Sequence, residues 1–237
     1  MKRIHFEQLD STNSYIKKNY QDLEHLTWIT STNQTDGRGR STKTWFGDQN
    51  SLLCSILIKE SLSIELIPLI PLLAAKSLHQ VLSKYHSNIL IKWPNDLLIG
   101  CKKISGILVE SISLSSSFEA VIIGFGINLN QVEFPSNLKY YSTSLSMETN
   151  QLYSLDQILH EINLEFINDF QIFKKNHLEV IHYCNKYLAY KNQMISYILN
   201  DDLHHAYVEY INHSGHLVVR ENGHLTALNS GEITLKK

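Results

Sequence analysis

A short loop between two apolar strands concentrates cations and glycines, and these residue types suit the binding of an anion. Arg38 and Arg40 alternate with Gly37 and Gly39, and Lys43 follows in the same loop. Glycine lets the backbone pass close to a ligand, and the planar guanidinium group of arginine matches carboxylates and phosphates. The loop is therefore predicted to close over an anion, and a solvated basic hairpin tip is the alternative.

Standard nucleotide and metal motifs do not explain this loop. Thr42 occupies the place of the third glycine in G-x-G-x-x-G, and the chain contains no G-x-x-x-x-G-K-S/T. The twelve histidines form no H-E-x-x-H motif and no cluster with cysteine at zinc spacing. His204 and His205 could bind a metal, but an exposed hairpin pair is the preferred interpretation.

Small polar residues stand at a predicted strand-to-helix junction. Ser11, Thr12 and Asn13 follow an alternating stretch at 3–9 and precede a helical pattern. The start of a helix offers free backbone N–H groups, which can bind a neutral polar group or a carboxylate. Ordinary helix capping is the alternative.

Lys92 ends a short apolar strand, where a lysine is unusual. It shares a face with Leu90 by alternation, and a lysine that points into a pocket needs an anion or its pKa falls. We expect Lys92 to point into the site, with a solvated strand end as the alternative. Pro94 stops the strand, and Asn95 and Asp96 suit a tight turn.

Two glycines at a spacing of two, Gly124 and Gly126, clear one face of a further strand, and Asn128 follows on that face. A ligand could approach the strand backbone there, although close packing would account for the same glycines.

The composition limits the size, the binding partners and the cellular compartment that can be expected for this protein. The chain has 237 residues, of which 43% are hydrophobic, enough for one core and a small appended domain. The net charge of −2 argues against generic nucleic-acid binding. Three widely spaced cysteines favour a reduced, cytosolic setting, and the start has no apolar signal core. The apolar stretch at 62–75 is expected to be too short to span a bilayer.

The expected elements alternate between strands and helices and then change to strands alone. We expect strands at 3–9, 26–31, 51–58, 89–92, 97–101, 103–110 and 118–125, helices at 64–83 and 155–173, and an irregular connection at 131–149. Beyond about residue 188, short strands at 194–199, 204–210, 216–219, 224–228 and 232–235 predict a small β barrel.

Four stretches together resemble the biotin protein ligase family, in order and at suitable spacing. They are residues 10–13, 34–45, 92–96 with 103–110, and 124–128. The pair of motifs G-R-G-R and K-W-P-N-D is highly specific, and the resemblance covers nearly the whole chain. Residues 229–233 also resemble the close of the family's terminal barrel.

The resemblance implies an α+β fold: a mixed or largely antiparallel sheet with helices on one side, as in class II synthetases, and a C-terminal SH3-like β barrel. The implied domains are 1–187 and 188–237. The implied activity is that of a biotin–[acetyl-CoA-carboxylase] ligase, which joins biotin to ATP with Mg²⁺ and passes the biotinyl group to a lysine of a biotin carboxyl carrier domain.

The family motifs also imply roles for individual residues. Those implied to bind biotin are Ser11, Thr12, Asn13, Gln34, Arg38, Gly39, Arg40, Lys92 and Gly106. Those implied to bind ATP or the adenylate are Arg38, Arg40, Lys43, Trp45, Lys103 and Asn128. Lys92 is the implied main electrostatic catalyst, with Arg40 beside it, and no residue is assigned to a metal.

The chain departs from the family pattern at several positions. Asp36 adds a negative charge to the loop, and Ser41 and Thr42 stand where the family often has further cations. Lys43 replaces a usual arginine, and Ser105 replaces a frequent glycine or alanine. Only about ten residues precede the Ser-Thr-Asn motif, too few for the DNA-binding module of some family members, so we expect an enzyme that does not bind DNA. We also expect it to be cytoplasmic, without membrane binding, and a homodimer is possible. A lipoate ligase-like enzyme and a non-catalytic biotin-binding module are the alternatives.

Overall fold

The computed structural model describes residues 1–41, 43–60, 62–114, 117–199, 202–229 and 234–236. A 3₁₀ helix at Ile64–Leu69 leads into α2, and the other elements follow in chain order. They are β1 (Lys2–Leu9), α1 (Thr12–Asn19), β2 (Thr27–Gln34), β3 (Ser51–Ile58), α2 (Ile70–Leu82), β4 (Ile89–Lys92), β5 (Asp96–Ile99), β6 (Lys102–Leu114), β7 (Ser117–Asn128), α3 (Leu145–Thr149), α4 (Leu155–Lys175), α5 (Leu178–Lys186), β8 (Met194–Leu199), β9 (Asp202–Ile211), β10 (Leu217–Glu221), β11 (His224–Leu228) and β12 (Thr234–Lys236).

The strands form two sheets. The first has the order β1-β2-β3-β7-β6-β5-β4, and its pairs are antiparallel except for the parallel pair β1 and β2. The second is antiparallel with the order β11-β10-β9-β8-β12, and it stands where the small β barrel was expected. The expected mixed sheet with helices is confirmed, and the domain boundary at 188 stays a prediction.

The two faces of the first sheet are covered differently. On one face α2 and α4 pack against apolar strand residues such as Trp28, Ile56 and Ile123. On the other face lies α1, whose Ile16 joins a smaller cluster with Ile29. The helix predicted at the strand-to-helix junction after β1 is thus α1, and it lies on the side of the sheet opposite the two long helices. The motif residues lie on the α1 face, which this short helix leaves partly uncovered.

Most expected elements are confirmed, and the misses are short helices. β3 and β11 have the expected bounds, and Ser154 caps α4 by accepting a hydrogen bond from the Gln157 amide at 3.3 Å. The connection expected to be irregular contains α3, and α5 lies where no element was expected. These helices have five and nine residues, too few for a clear 3.6-residue period. Residues 230–233, on which the last motif rests, lie outside the described residues.

The helical segment Ile64–Leu82 is longer than the apolar stretch identified in the sequence. It is long and apolar enough to cross a membrane, but most of it is buried within the structure. The core helix of a globular domain can have the same length and composition, and α2 lies in the core between the first sheet and α4.

A buried ion pair joins the two long helices α2 and α4. Lys76 on α2 pairs with Asp169 on α4, and Ser77 Oγ donates to the same carboxylate at 2.8 Å. Because Asp169→Ala leaves the Lys76 charge buried without its partner, we expect the free energy of unfolding to fall by about 3–5 kcal/mol, measured by urea denaturation.

The exposed pair of Lys2 and Glu24 provides the control, since its side chains are 51% and 72% exposed. Glu24→Ala should cost at most about 1 kcal/mol, because solvent screens this pair. Equal losses in the two variants would contradict the role given to the buried pair.

Candidate functional site

A cavity of about 580 Å³ opens on the α1 face of the first sheet. Every predicted site residue except Lys92 lines it: Ser11, Thr12, Asn13, Gln34, Arg38, Gly39, Arg40, Lys43, Trp45, Lys103, Gly106 and Asn128. Four separate motifs, more than 100 residues apart at their extremes, therefore meet around one space. The individual roles of these residues stay predictions.

Glycines form the floor of the cavity. Gly106 on β6 pairs with Gly126 on β7, and Gly124 lies two residues before it. A Cβ at Gly124 would stand 2.3 Å from Asn13 Oδ1, and a Cβ at Gly126 would stand 2.3 Å from the Trp45 ring. The absence of side chains here is what lets Asn13 and Trp45 lie against the sheet backbone.

One end of the cavity is a buried network of neutral hydrogen-bonding groups. The Ser11 side chain caps α1, and Gln34 Oε1 accepts a hydrogen bond from the Thr12 amide at 2.8 Å. Ser55 Oγ lies 2.7 Å from Thr12 Oγ1 and 2.6 Å from Asn13 Oδ1. Of the residues Ser11, Thr12 and Asn13, therefore, only Ser11 caps the helix, which was the alternative interpretation of all three. The network suits a ligand group that both donates and accepts hydrogen bonds.

Glu110 ties this network to the basic loop. Asn13 Nδ2 donates to Glu110 Oε2 at 2.9 Å, and Arg38 Nη1 lies 3.1 Å from Glu110 Oε1. The Gly39 amide donates to the Lys43 carbonyl at 2.7 Å, which closes the loop as a hairpin over the cavity. The loop is therefore fastened at its base, with its cations facing inward.

Lys103 lies on the glycine floor, held by an ion pair. Its Nζ atom is 2.6 Å from Asp96 Oδ1 and 5.3 Å from the centroid of the Trp45 ring. Nearby, Arg40 Nη1 donates to Asn95 Oδ1 at 3.4 Å. Burial lowers the pKa of Arg40, but an arginine remains charged, so the site keeps this cation.

Lys92 lies on the predicted face of the first sheet, on its outermost strand β4. The register places Gly126, Gly106, Asp96 and Lys92 in one row across the sheet, on β7, β6, β5 and β4. Lys92 is at the outer end of this row, with Asp96 between it and the cavity floor. Lys103 therefore lines the cavity, whereas Lys92 lies on the same face one strand beyond Asp96, and the catalytic role expected for Lys92 stays a prediction. Burial lowers the pKa of Lys92, and the neighbouring Asp96 opposes this shift.

The connection after β7 closes the far end of the cavity. Asn128 Nδ2 donates to the Thr143 carbonyl at 3.0 Å, and the Thr143 amide donates to the Lys103 carbonyl at 3.0 Å. Phe134, Leu138 and Ser142 thereby come to line the cavity. The sequence carried no signal for them because the connection has no periodic pattern. Asn95 and Asp96 stood inside a recognised motif, but no role was assigned to them.

The charges in the cavity are unbalanced. Among the described residues that line it, four carry a positive charge, Arg38, Arg40, Lys43 and Lys103, and Asp96 carries a negative one. Such a surplus raises the local concentration of anions. With the neutral network at one end, the cavity is suited to a ligand that has an uncharged polar head and an anionic tail, or to two ligands placed in that order. No group of three or more metal-binding side chains occurs in the described part of the chain.

Comparison with known proteins gives one family. Residues 5–128 match the family described as Biotin/lipoate A/B protein ligase. The chain is 35% identical over 144 residues to the bifunctional ligase/repressor BirA of Bacillus subtilis, covering 59% of this chain and 44% of that protein. It is 29% identical over 123 residues to the biotin–[acetyl-CoA-carboxylase] ligase of Paracoccus denitrificans, covering 51% of each. The chain thus spans about half the length of these relatives.

The fold has solved counterparts. A biotin protein ligase of Aquifex aeolicus in complex with biotin and ATP superposes with a TM-score of 0.87 and 24% identity, covering 100% of this chain and 99% of that one. A biotin protein ligase of Leishmania major in complex with biotinyl-5-AMP gives a TM-score of 0.68 and 19% identity, covering 97% and 99%. At these identities the superpositions establish the fold.

The glycine floor can be tested without any ligand. Gly126→Ala should displace the Trp45 ring and expose it to water, so we expect stronger acrylamide quenching of tryptophan fluorescence. Trp28 and Trp93 are buried, and they supply the unchanged remainder of the signal. In a Trp45→Phe background the glycine substitution should leave quenching unaltered. Equal quenching of wild type and Gly126→Ala would show that the ring does not rest on this glycine.

Proposed function

Because the chain belongs to the biotin/lipoate A/B protein ligase family, we propose that it is a biotin–protein ligase. In this proposal it joins biotin to ATP, forming biotinyl-5′-adenylate and pyrophosphate, and then transfers the biotinyl group to a lysine of an acceptor protein. The observation that carries the proposal is the single cavity in which a neutral hydrogen-bonding network lies next to a surplus of cations.

The neutral end fits the head of biotin. A ureido group has N–H donors and a carbonyl acceptor, and Ser11, Thr12, Asn13 and Gln34 supply both kinds of partner. Thr12 is hydrogen-bonded to Gln34, and Ser55 is hydrogen-bonded to both Thr12 and Asn13, so these side chains would need little reorganisation on binding. In this placement the valeryl chain of biotin runs past Asn13 toward the Trp45 ring, and its carboxylate reaches the cations.

The first step brings two anions together, and this is where the cations act. A carboxylate oxygen of biotin attacks the α-phosphorus of ATP, and the bond to pyrophosphate breaks. Lys103 and Arg40 would neutralise the carboxylate and the α-phosphate and hold them in contact. ATP would enter as its Mg²⁺ complex, whose metal ion is held chiefly by the phosphate oxygens. The indole N–H of Trp45 is buried against Gly126 without a hydrogen-bond partner among the described residues, so a ligand acceptor would reach it only if the ring moved off the floor.

We propose for Lys103, which lines the cavity, the role that the family motif implies for Lys92. Its amine lies over the floor, whereas Lys92 lies beyond Asp96 at the edge of the sheet. We assign Lys92 a supporting role, in which its charge offsets that of Asp96 and so leaves the charge of Lys103 available to the substrates.

The second step needs no nucleophile from this chain. The acceptor amine attacks the acyl carbon of the adenylate, an amide bond forms, AMP leaves, and the amine loses a proton. The acceptor we propose is a biotin carboxyl carrier domain, as the name of the Paracoccus relative suggests. The cavity is open to solvent on one side, which lets an external lysine reach its contents.

One experiment separates this function from its rivals. Purified protein is mixed with biotin, ATP, Mg²⁺ and a biotin carboxyl carrier domain, and the products are analysed by mass spectrometry. A biotinylated acceptor with release of pyrophosphate and AMP supports the proposal. Lipoylation of an acceptor in parallel reactions with lipoate, without biotinylation, would identify a lipoate ligase. Biotin binding without pyrophosphate release would identify a binding module.

The lysine assignment is tested by substitution. Lys103→Ala should lower kcat for pyrophosphate release by about 10²–10³-fold, since it removes a preorganised charge at the reacting groups. Lys92→Ala should lower kcat less than Lys103→Ala does.

The neighbouring Lys102 does not line the cavity, and Lys102→Ala is the matched control, with kcat expected near wild type. A larger loss in Lys92→Ala than in Lys103→Ala would reverse the assignment.

A further inference from the structure

Trp93 belongs to the K-W-P-N-D motif but does not line the cavity. Its side chain is buried, and its indole Nε1–H donates to the Gly215 carbonyl at 2.8 Å. Gly215 lies in the turn that joins β9 to β10, two strands of the second sheet. Trp93, whose motif belongs to the first sheet, therefore donates its one side-chain hydrogen bond to a turn about 120 residues away in the sequence.

The turn that accepts this hydrogen bond is rigidly placed. Asn212 Oδ1 accepts hydrogen bonds from the amides of Ser214 and His216, both at 3.0 Å. Gly215 has a φ of +82°, and a Cβ there would stand 2.5 Å from Leu69 Cδ2. Conformation and space both require glycine at this point, so the position of its carbonyl is well defined.

On the other side, Trp93 is directly connected to the groups that hold the cations. Two residues on, Asn95 Nδ2 donates to the Ile107 carbonyl at 2.7 Å, and Asn95 Oδ1 accepts from Arg40. The next residue, Asp96, pairs with Lys103. A shift of the 93–96 turn would therefore move the partners of both cations together.

Trp93 is needed for this because β4 is short and lies at the end of the sheet. β4 has four residues and pairs with β5 on one side. On its other side, the Ile91 amide donates to the Tyr187 carbonyl at 2.8 Å, and the Ala189 amide donates to the Ile91 carbonyl at 2.9 Å. These bonds hold the strand, and Asn95 holds the far end of the following turn through its hydrogen bonds with Ile107. The near end of the turn is held by the hydrogen bond of Trp93 to Gly215.

We propose that Trp93 is a positioning residue for adenylate formation, a role that rests on the proposed ligase function. Its hydrogen bond to Gly215 uses the second sheet as a fixed support for the 93–96 turn, and the turn in turn sets the positions of Arg40 and Lys103. The biotin head group binds elsewhere, at α1 and β2, so its affinity does not depend on Trp93.

The test substitutes Trp93 by phenylalanine, which keeps an aromatic ring and removes the N–H donor. Trp28→Phe is the matched control, because Trp28 is also buried and donates Nε1–H to Asn163 Oδ1 at 2.8 Å. Trp28 packs on the helix-covered face of the sheet, away from the cavity. The melting temperature, and kcat and KM for biotin in pyrophosphate release, are measured for both variants and for wild type below all melting temperatures.

Both variants should show a similar fall in Tm. Trp93→Phe should lower kcat by roughly 10–100-fold with KM for biotin unchanged, since a small misplacement of reacting groups has effects of this size. Trp28→Phe should retain the wild-type kcat. Equal kcat in Trp93→Phe and wild type, or equal losses in the two variants, would overturn the positioning role.

A second variant tests the support from its other side. Asn212→Ala loosens the Gly215 turn without altering Trp93, and it should lower kcat in the same direction by a smaller factor. An unchanged kcat in Asn212→Ala would count against the second sheet as the support. Absence of pyrophosphate release in wild type would instead refute the ligase function itself, so the two failures are distinguishable.

Discussion

The ion pair between Asp96 and Lys103 is the interaction on which the site depends. It spans β5 and β6 at a distance of 2.6 Å and keeps the lysine amine above a strand surface cleared by glycines. Without the carboxylate, a long lysine side chain would extend toward water, where its charge is better solvated. Without the glycines, neither Lys103 nor the Trp45 ring beside it would have room at the sheet.

The surrounding contacts extend from this pair in both directions. Toward α1, Glu110 connects Arg38 to Asn13, so the basic loop and the neutral network share one carboxylate. Toward the second sheet, the turn that contains Asp96 is tied through Trp93 to Gly215. The cations are thus held by the fold before any ligand arrives, which reduces the reorganisation that a reaction between two anions would otherwise require.

The sequence alone predicted the fold class and most of the residues that come together around the cavity. Alternation and turn residues located the strands, and the motifs named all the predicted residues that line the cavity. It was not sufficient to show which of Lys92 and Lys103 lines the cavity. Alternation assigns a side chain to a face of the sheet, but the distance of that side chain from the site depends on the order of the strands. That order, with β4 outermost and β5 between it and β6, arises from long-range pairing.

Other features were beyond the sequence for related reasons. Phe134 and Leu138 reach the cavity because hydrogen bonds at Thr143 fix an aperiodic connection, and no local pattern encodes these bonds. The hydrogen bond of Trp93 joins positions separated by more than 100 residues. The sequence showed Trp93 only as a member of a motif. Its partner is a backbone carbonyl, which every residue has, so no residue type marked Gly215 as the partner.

A crystal structure of the protein with biotin and ATP would test the central claim most directly. The account predicts the ureido head of biotin at Thr12, Asn13 and Gln34, and the acyl phosphate, formed or forming, within hydrogen-bonding distance of Lys103 Nζ. Density for biotin in another part of the molecule, or a biotin carboxylate directed to Lys92 with Lys103 turned away, would contradict it.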